Sequence, residues 1–251
     1  PFDEVVAVAR RIAAHPRLRL KALAMHLGSQ ITDIEPYRRG TVKLMELVTA
    51  VRASGVTSLE AVDVGGGLGV RYHDEQTPNL KAWAEAVGAP IHAAGLALVC
   101  EPGRFLVANA GVLLTRVLYR KHAGGKDYVI VDAGMTDFVR PSHYHAHHEI
   151  VPLREGGGER PAETVNVVGP ICESGDFLAL DRRLPAVEPG DYVAVLGTGA
   201  YGFVMSSTYN ARPRPPEVMV EGDRFFVARP RETPDDLVRG EVVSPTTWFQ
   251  A

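Results

Sequence analysis

Cysteine is scarce. Cys100 and Cys172 are the only two in 251 residues, too few for a disulfide framework. A reducing, cytoplasmic setting is the default for such a chain. Cys100 follows the apolar run Leu96-Ala97-Leu98-Val99 and is expected to be a small buried core residue, whereas Cys172 lies in a polar stretch between Pro170 and Gly175. Long apolar runs are missing as well. The longest, such as Leu96 to Cys100 or Tyr192 to Leu196, fall far short of a membrane span. There is no basic stripe: 27 Lys and Arg stand against 30 Asp and Glu, with both signs mixed along the chain. Nucleic acid and membrane are therefore not expected partners. The first residues, Pro1-Phe2-Asp3-Glu4, show no basic segment leading into an apolar one, so no signal peptide is expected. They also lack an initiator Met, so the natural chain need not begin here.

What is present suits an ordinary globular protein. With 45% hydrophobic and 23% charged residues, the chain can bury one large core or two modest ones. About the first 110 residues alternate helical and extended patterns at the lengths of βα units. Helical spacing runs from Phe2 to Ala14 and from Tyr37 to Ala53, with Thr32 or Asp33 as the cap of the second helix and Gly55 its end. A third helix is expected over Leu80 to Ala94. Strands are expected over Lys21 to Leu27, Leu59 to Val64 and Leu96 to Glu101. Each strand runs into glycine: Leu27-Gly28-Ser29, Gly65-Gly66-Gly67 and Pro102-Gly103-Arg104. Chemistry placed just after successive parallel strands is the pattern of a β/α barrel mouth. Three such units cannot close an eight-stranded barrel, so about five strands would be missing.

Beyond Ala110 the texture changes to short β-rich runs: Gly111 to Arg120, Tyr128 to Val131, Thr164 to Val168, Asp191 to Leu196, Val218 to Val220 and Arg224 to Val227. Turn signals separate them, such as Gly124-Gly125-Lys126-Asp127 and Glu188-Pro189-Gly190-Asp191. Arg154 to Pro161 reads as an exposed loop and Pro213 to Pro216 as a rigid crossing. The expected fold is α/β plus all-β: residues 1–109 form the last strands of a TIM-type (β/α)8 barrel, and residues 110–251 form a β-sandwich or barrel-like domain.

Several residue groups can carry chemistry. The run Gly65-Gly66-Gly67 offers unhindered backbone N–H groups at a strand end, which suits a phosphate, although a plain tight loop explains it equally well. Gly197-Thr198-Gly199-Ala200-Tyr201-Gly202 matches a dinucleotide fingerprint formally, but Arg212-Pro213-Arg214-Pro215-Pro216 follows too soon for a βαβ unit. Glu101 and Arg104 supply a carboxylate and an anion-binding fork, or else a minor surface ion pair. His26 is either a core imidazole or a ligand group. His143-Tyr144-His145-Ala146-His147-His148-Glu149, read as a strand, would set alternating histidines on one face in a zinc-like array. No second ligand cluster accompanies it, and no metal site is expected.

Taken together and in order, His26-Leu27-Gly28-Ser29-Gln30, Glu101-Pro102-Gly103-Arg104 and Cys172-Glu173-Ser174-Gly175-Asp176 resemble the fold type III pyridoxal-phosphate-dependent decarboxylases. The likeness runs from about Leu20 to Thr247. In Arg140-Pro141-Ser142-His143-Tyr144 and Gly199-Ala200-Tyr201 it is closest to the diaminopimelate branch. The resemblance implies pyridoxal 5'-phosphate as cofactor. His26 would stack on its ring, and Ser29, Gly65, Gly66, Gly67, Gly103 and Arg104 would hold its phosphate. Glu101 would pair with the pyridine nitrogen and keep the ring an electron acceptor. Arg104, Arg140 and Tyr144 would bind a substrate carboxylate, Glu173 the distal amino group, and Tyr201 both cofactor and substrate. Cys172 would be the acid that protonates the carbanion once CO₂ has left. In the family this Cys and Glu reach into a neighbouring subunit's site, which implies a two-fold dimer. Ornithine and arginine decarboxylases of this fold usually carry Asp after the Cys. Glu173 here favours diaminopimelate, with another basic amino acid, or a non-catalytic binding relative, as the alternatives. The family also holds its cofactor covalently through a lysine on an early barrel strand. None of Lys21, Lys43, Lys81, Lys121 or Lys126 lies in that motif, so no such lysine is assigned and little activity is expected of this chain alone.

Overall fold

The computed structural model describes residues 2–153 and 160–242, which form two compact units, Pro1–Ala110 and Gly111–Ala251. Most of the stretch read as an exposed loop, residues 154–159, lies outside the described residues.

The first unit runs α1 (Val5–Ala14), β1 (Ala22–Ala24), α2 (Glu35–Ala53), β2 (Ala61–Asp63), α3 (Leu80–Ala93), β3 (Ala97–Val99) and α4 (Gly103–Val107). Its strands form one parallel sheet in the order β1-β2-β3, with Leu23, Val62 and Leu98 in register. A helix must bury one stripe of its surface, and α2 does so with Tyr37, Thr41, Leu44, Val48 and Val51, spaced alternately by four and three residues. Val87 and Ile91 of α3 join them over Leu23 and Val62. Each such aliphatic side chain, once buried, contributes about 1.5–3 kcal/mol. Asn79 starts α3 by accepting the Ala82 N–H at 3.0 Å. The cap expected for α2 is displaced. Ile34 holds the N-cap position, and Asp33 accepts the Glu35 N–H instead, a turn that leads into the helix without capping it. Cys100, expected in the core, is exposed because it follows β3, an edge strand of this sheet whose Ala97 and Val99 are exposed as well.

The second unit contains β4 (Val112–Ala123), β5 (Lys126–Val131), α5 (Arg140–Tyr144), β6 (Ile150–Leu153), β7 (Ala162–Val168), β8 (Phe177–Pro185), β9 (Tyr192–Leu196), β10 (Glu217–Glu221) and β11 (Arg224–Arg229). Six strands make one sheet in the order β6-β9-β4-β5-β7-β8, and β10 pairs with β11 as a separate hairpin. Every pair in the large sheet is antiparallel except β5 with β7. The long β4 serves both halves, pairing with β9 through Val112–Arg116 and with β5 from Val117, where the register shifts. The sheet curls until its outermost strands, β6 and β8, approach each other. Arg182 on β8 spans that seam, donating to the His148 carbonyl at 2.6 Å and bonding His147 Nδ1 at 3.2 Å. Val117, Val129, Val131, Val165, Val167, Leu178, Val193 and Val195 fill the interior. The fold is thus a partial β/α barrel sheet followed by a barrel-like β unit.

Two strands go beyond the sequence expectation. In β8 the residue Asp181 adopts φ +46° and its N–H is taken by the buried Asn166 side chain at 2.7 Å, so the alternation of inward and outward residues slips in mid-strand. In β6 Pro152 interrupts the run, which is permitted because β6 is an edge strand. The histidine-rich segment is not one strand. Pro141 opens a helical turn, His145 ends it in a left-handed conformation, and His148 is fully buried, so no alternating face of histidines exists.

Candidate active site

In the first unit the three strand-end loops are tied together by main-chain bonds. Met25 N–H donates to Asp63, Val64 N–H to Val99, Glu101 N–H to Gly65 at 2.9 Å, and Ile31 N–H to Gly67 at 2.8 Å. Tyr37, packed edge-on against Trp83, donates its hydroxyl to the Gly66 carbonyl at 2.9 Å. Burial pushes the Tyr37 phenol up to about 12, so it remains a donor there. Gly67 has φ +89°, and a Cβ on it would stand 2.2 Å from the Gly28 carbonyl oxygen. A Cβ on Gly66 would stand 2.3 Å from that of Glu101. These glycines therefore let three loops touch main chain to main chain. The stitching uses the Gly65 N–H, given to Asp63 Oδ1 at 2.8 Å, and the carbonyls of Gly65, Gly66 and Gly67. It leaves the N–H groups of Gly66 and Gly67 out.

The side chains converge on the same place. His26 lies beside Gly65, with Nδ1 3.1 Å from where a Cβ on that glycine would be. Arg104, in the first turn of α4, donates Nη2 to Ser29 Oγ at 2.9 Å and Nη1 to the Tyr72 hydroxyl at 2.7 Å. A guanidinium presents its donors in one planar fork, which suits a phosphate or a carboxylate. His26, Ser29, Gly65, Gly66, Gly67, Glu101, Gly103 and Arg104 thus belong to one set of strand-end loops. Three residues without an assigned role support it. Tyr72 steadies Arg104, Tyr37 braces the glycine loop, and Gln30 bonds both main-chain groups of Val70, at 2.6 and 3.2 Å. Gln30 sits inside the His26 motif, which is a signal; Tyr37 and Tyr72 carry none at the level of sequence.

The donor set fits a phosphate monoester: one fixed guanidinium, one hydroxyl and main-chain N–H groups at a strand end. The lysines stand elsewhere. Lys21 precedes β1 and pairs with Glu60 at 3.4 Å, Lys43 and Lys81 lie on α2 and α3, and Lys121 and Lys126 lie on β4 and β5.

In the second unit Arg140 is only 7% exposed, and its Nη1 lies 2.9 Å from His148 Nε2. Tyr144, four residues on along α5, is exposed and stacks edge-on with His143. Cys172 and Glu173 are both exposed on the turn before β8. That turn is fastened by Asp176, a buried carboxylate that sequence reasoning left without a role. Its Oδ1 accepts the Met135 N–H and its Oδ2 the Ile171 N–H, each at 2.6 Å. Gly134 and Gly169 make room for it, since a Cβ on either would meet a carboxylate oxygen at 2.7 or 2.5 Å. Burial pushes the Asp176 carboxyl above the usual carboxylate range, and the two N–H groups pull it back. Tyr201 takes a left-handed conformation, φ +58°, in the glycine-rich turn after β9. That turn leads to a short 3₁₀ segment, Phe203–Met205, in place of the α-helix a dinucleotide site requires.

Among the described residues no helix is long and apolar enough to cross a membrane. Residues 18–199 match the family model described as pyridoxal-dependent decarboxylase, C-terminal sheet domain. The chain is 46% identical to the diaminopimelate decarboxylase of Pseudomonas aeruginosa over 244 residues, which is 97% of this chain and 58% of that protein. Among solved structures, a protein of Aquifex aeolicus superposes with a TM-score of 0.91 at 40% identity, covering 95% of this chain and 59% of that one. The diaminopimelate decarboxylase of Helicobacter pylori, complexed with L-lysine, superposes at 0.88 and 39% identity over 95% and 58%. The chain spans a little under three fifths of the length of these relatives. With the family model matched over most of its length and the strand-end loops built as described, this chain belongs to the pyridoxal-dependent decarboxylases.

Proposed function

We propose that this chain supplies the phosphate-holding, substrate-reading and proton-donating residues of a decarboxylase that converts meso-diaminopimelate to L-lysine, the last step of lysine synthesis. The observation that carries the reading is the Arg104 guanidinium fixed between Ser29 and Tyr72 at the ends of parallel strands. With the Ser29 hydroxyl, the N–H groups of Gly66 and Gly67 and the open space beside Gly103, it binds the cofactor phosphate. His26 covers the ring face, Tyr201 contacts cofactor and substrate, and Glu101 accepts a hydrogen bond from the pyridine N–H. Bound there, pyridoxal phosphate supplies a sink for the electron pair released when the bond from Cα to the carboxylate breaks.

The remaining roles belong to side chains of this chain. Arg140, Tyr144 and Arg104 bind a substrate carboxylate, and Glu173 receives the distal ammonium, so both ends of the zwitterion meet opposite charge. The Cys172 Sγ–H gives its proton to Cα after CO₂ departs and recovers one from water. Cys172 and Glu173 act in the site of a second copy, so the working form is a two-fold dimer in the cytoplasm. The test is to assay the full-length gene product on meso-diaminopimelate, L-lysine and L-ornithine, alongside its Cys172→Ala variant. Release of CO₂ from diaminopimelate in strong preference to the other two, with turnover reduced at least about 100-fold in the variant, is the expected outcome. Equal or better turnover of ornithine or lysine would overturn the substrate assignment, and unchanged turnover in the variant would remove Cys172 from its role. The 251-residue chain alone, with no lysine assigned as covalent anchor, is expected to turn over little.

A further inference from the structure

His148 is fully buried and has no part in the roles above. Its Nδ1 lies 2.9 Å from the Leu196 carbonyl, which can only accept, so Nδ1 carries the ring proton. Nε2 therefore presents a lone pair, and the Arg140 guanidinium, which can only donate, meets it at 2.9 Å. The two partners fix one tautomer between them. The ring has little freedom to turn, because Phe138 stands edge-on against it with centroids 4.6 Å apart. Its main chain is held as well, since Arg182 donates to the His148 carbonyl at 2.6 Å and β6 starts two residues later against β9. A long arginine side chain has many rotamers, and a buried one selects among them by the acceptors it finds. One acceptor of Arg140 is an imidazole nitrogen anchored to β8 and β9, outside the helical turn that carries Arg140.

We propose that His148 is a positioning residue. It holds Arg140 in the orientation that grips the carboxylate retained in the product, and so it tunes affinity for carboxylate-bearing ligands without touching them. The inference rests on the reading of Arg140 as a substrate-binding residue. The retained carboxylate is the one concerned, because a tight ion pair on the departing carboxylate would stabilise the ground state against loss of CO₂. L-Lysine carries the retained group, whereas 1,5-diaminopentane is the same chain without it, and the pair separates this contact from every other.

The experiment measures calorimetric Kd values for both compounds with the full-length, cofactor-loaded enzyme and its His148→Leu, His148→Gln and Arg140→Leu variants. His148→Leu should weaken L-lysine binding about ten-fold, as expected for one lost directed hydrogen bond, and leave 1,5-diaminopentane within about two-fold. His148→Gln, whose amide offers an acceptor and a donor in one plane, should recover most of the loss. If His148→Leu does not fold, His148→Asn takes its place with the same selective loss expected, because the shorter amide cannot reach both partners. Equal weakening of both compounds, or no rescue by glutamine, would reduce His148 to a packing residue and overturn the proposal. An unchanged L-lysine affinity in Arg140→Leu would instead overturn the reading of Arg140 itself. Weakening in that variant, with none in either histidine variant, would overturn the positioning role alone.

Discussion

The two units fix their candidate site residues by different means. In Pro1–Ala110 the strand-end loops are stitched main chain to main chain, at approaches that leave no space for a Cβ on Gly66 or Gly67. In Gly111–Ala251 the corresponding segments are also held by buried or half-buried polar side chains that reach across to main-chain groups: Asp176 to Met135 and Ile171, His148 to Leu196, and Arg182 to His148. Main-chain stitching gives a rigid cradle that tolerates no added atom at Gly66 or Gly67. Side-chain fastening adds to the turn's own main-chain bonds, such as Glu173 N–H to Ile171 and Asp176 N–H to Glu173, in placing exposed residues such as Cys172 and Glu173, and it can be weakened in steps. The first arrangement suits a group that must stay in place through many turnovers. The second suits residues that meet a substrate which comes and goes.

The contrast is broken most severely at Gly67. Gly67→Ala would place a methyl 2.2 Å from the Gly28 carbonyl at a residue with φ +89°, so the His26 and Gly65 loops must part. We expect a loss of about 3 kcal/mol in urea unfolding, together with loss of measurable cofactor binding. Gly103→Ala is the internal control, because a Cβ there meets nothing within 4 Å, and its unfolding free energy should stay within about 0.5 kcal/mol. Equal losses in the two variants would show that glycine freedom, and not loop contact, shapes the cradle. In the second unit Asp176→Ala should cost about 2 kcal/mol, since two N–H groups in the buried turn lose their acceptor. Asp176→Asn should cost less. It should also change the pH dependence. The folded-state pKa of Asp176 is raised, so its proton binding favours the folded chain at low pH, and that contribution is lost as pH rises from the ordinary carboxylate range through the raised value. Unfolding midpoints compared at acid and neutral pH should therefore fall more steeply for the native chain than for the asparagine variant. A parallel fall would mean the buried carboxylate does not titrate in that window.

Much of this was legible in the residues. Alternating helical and extended spacing marked α1, α2, α3 and the three parallel strands, because each of those elements buries one regular face. The motif residues His26, Ser29, Gly65 and Arg104 stand in one cluster because each follows a strand of the same sheet. What escaped was whatever broke a local period. The left-handed Asp181 hides β8, Pro152 hides β6 at an edge, and a helical turn from Pro141 divides the histidine run that had read as one strand. Cys100 was misplaced because β3 is an edge strand that leaves Ala97 and Val99 exposed as well, and an apolar run alone does not say whether a strand lies at an edge. The supporting partners escaped for another reason. Tyr72 lies 32 positions from Arg104, and Asp176 lies 41 from Met135, so nothing local pairs them.

The mildest perturbation tests whether the first unit also depends on side-chain fastening. Tyr72→Phe keeps the ring, over which the Arg104 guanidinium lies 5.8 Å from the centroid, and removes only the hydroxyl bonded to Nη1 at 2.7 Å. The contact is half-buried and water can replace the lost acceptor, so folding stability should fall by no more than about 1 kcal/mol. Cofactor affinity has more to lose, because Arg104 would then lack one of the two hydroxyls that orient its fork, and the bond to Ser29 remains. We expect a loss of about five-fold in pyridoxal phosphate affinity, read by fluorescence titration of the full-length protein, with thermal unfolding nearly unchanged. If affinity is also unchanged, the main-chain cradle alone positions the phosphate and the contrast between the two units is sharper than drawn. A loss approaching that of Gly67→Ala would mean instead that the Arg104 side-chain network holds the phosphate as much as the glycine loops do.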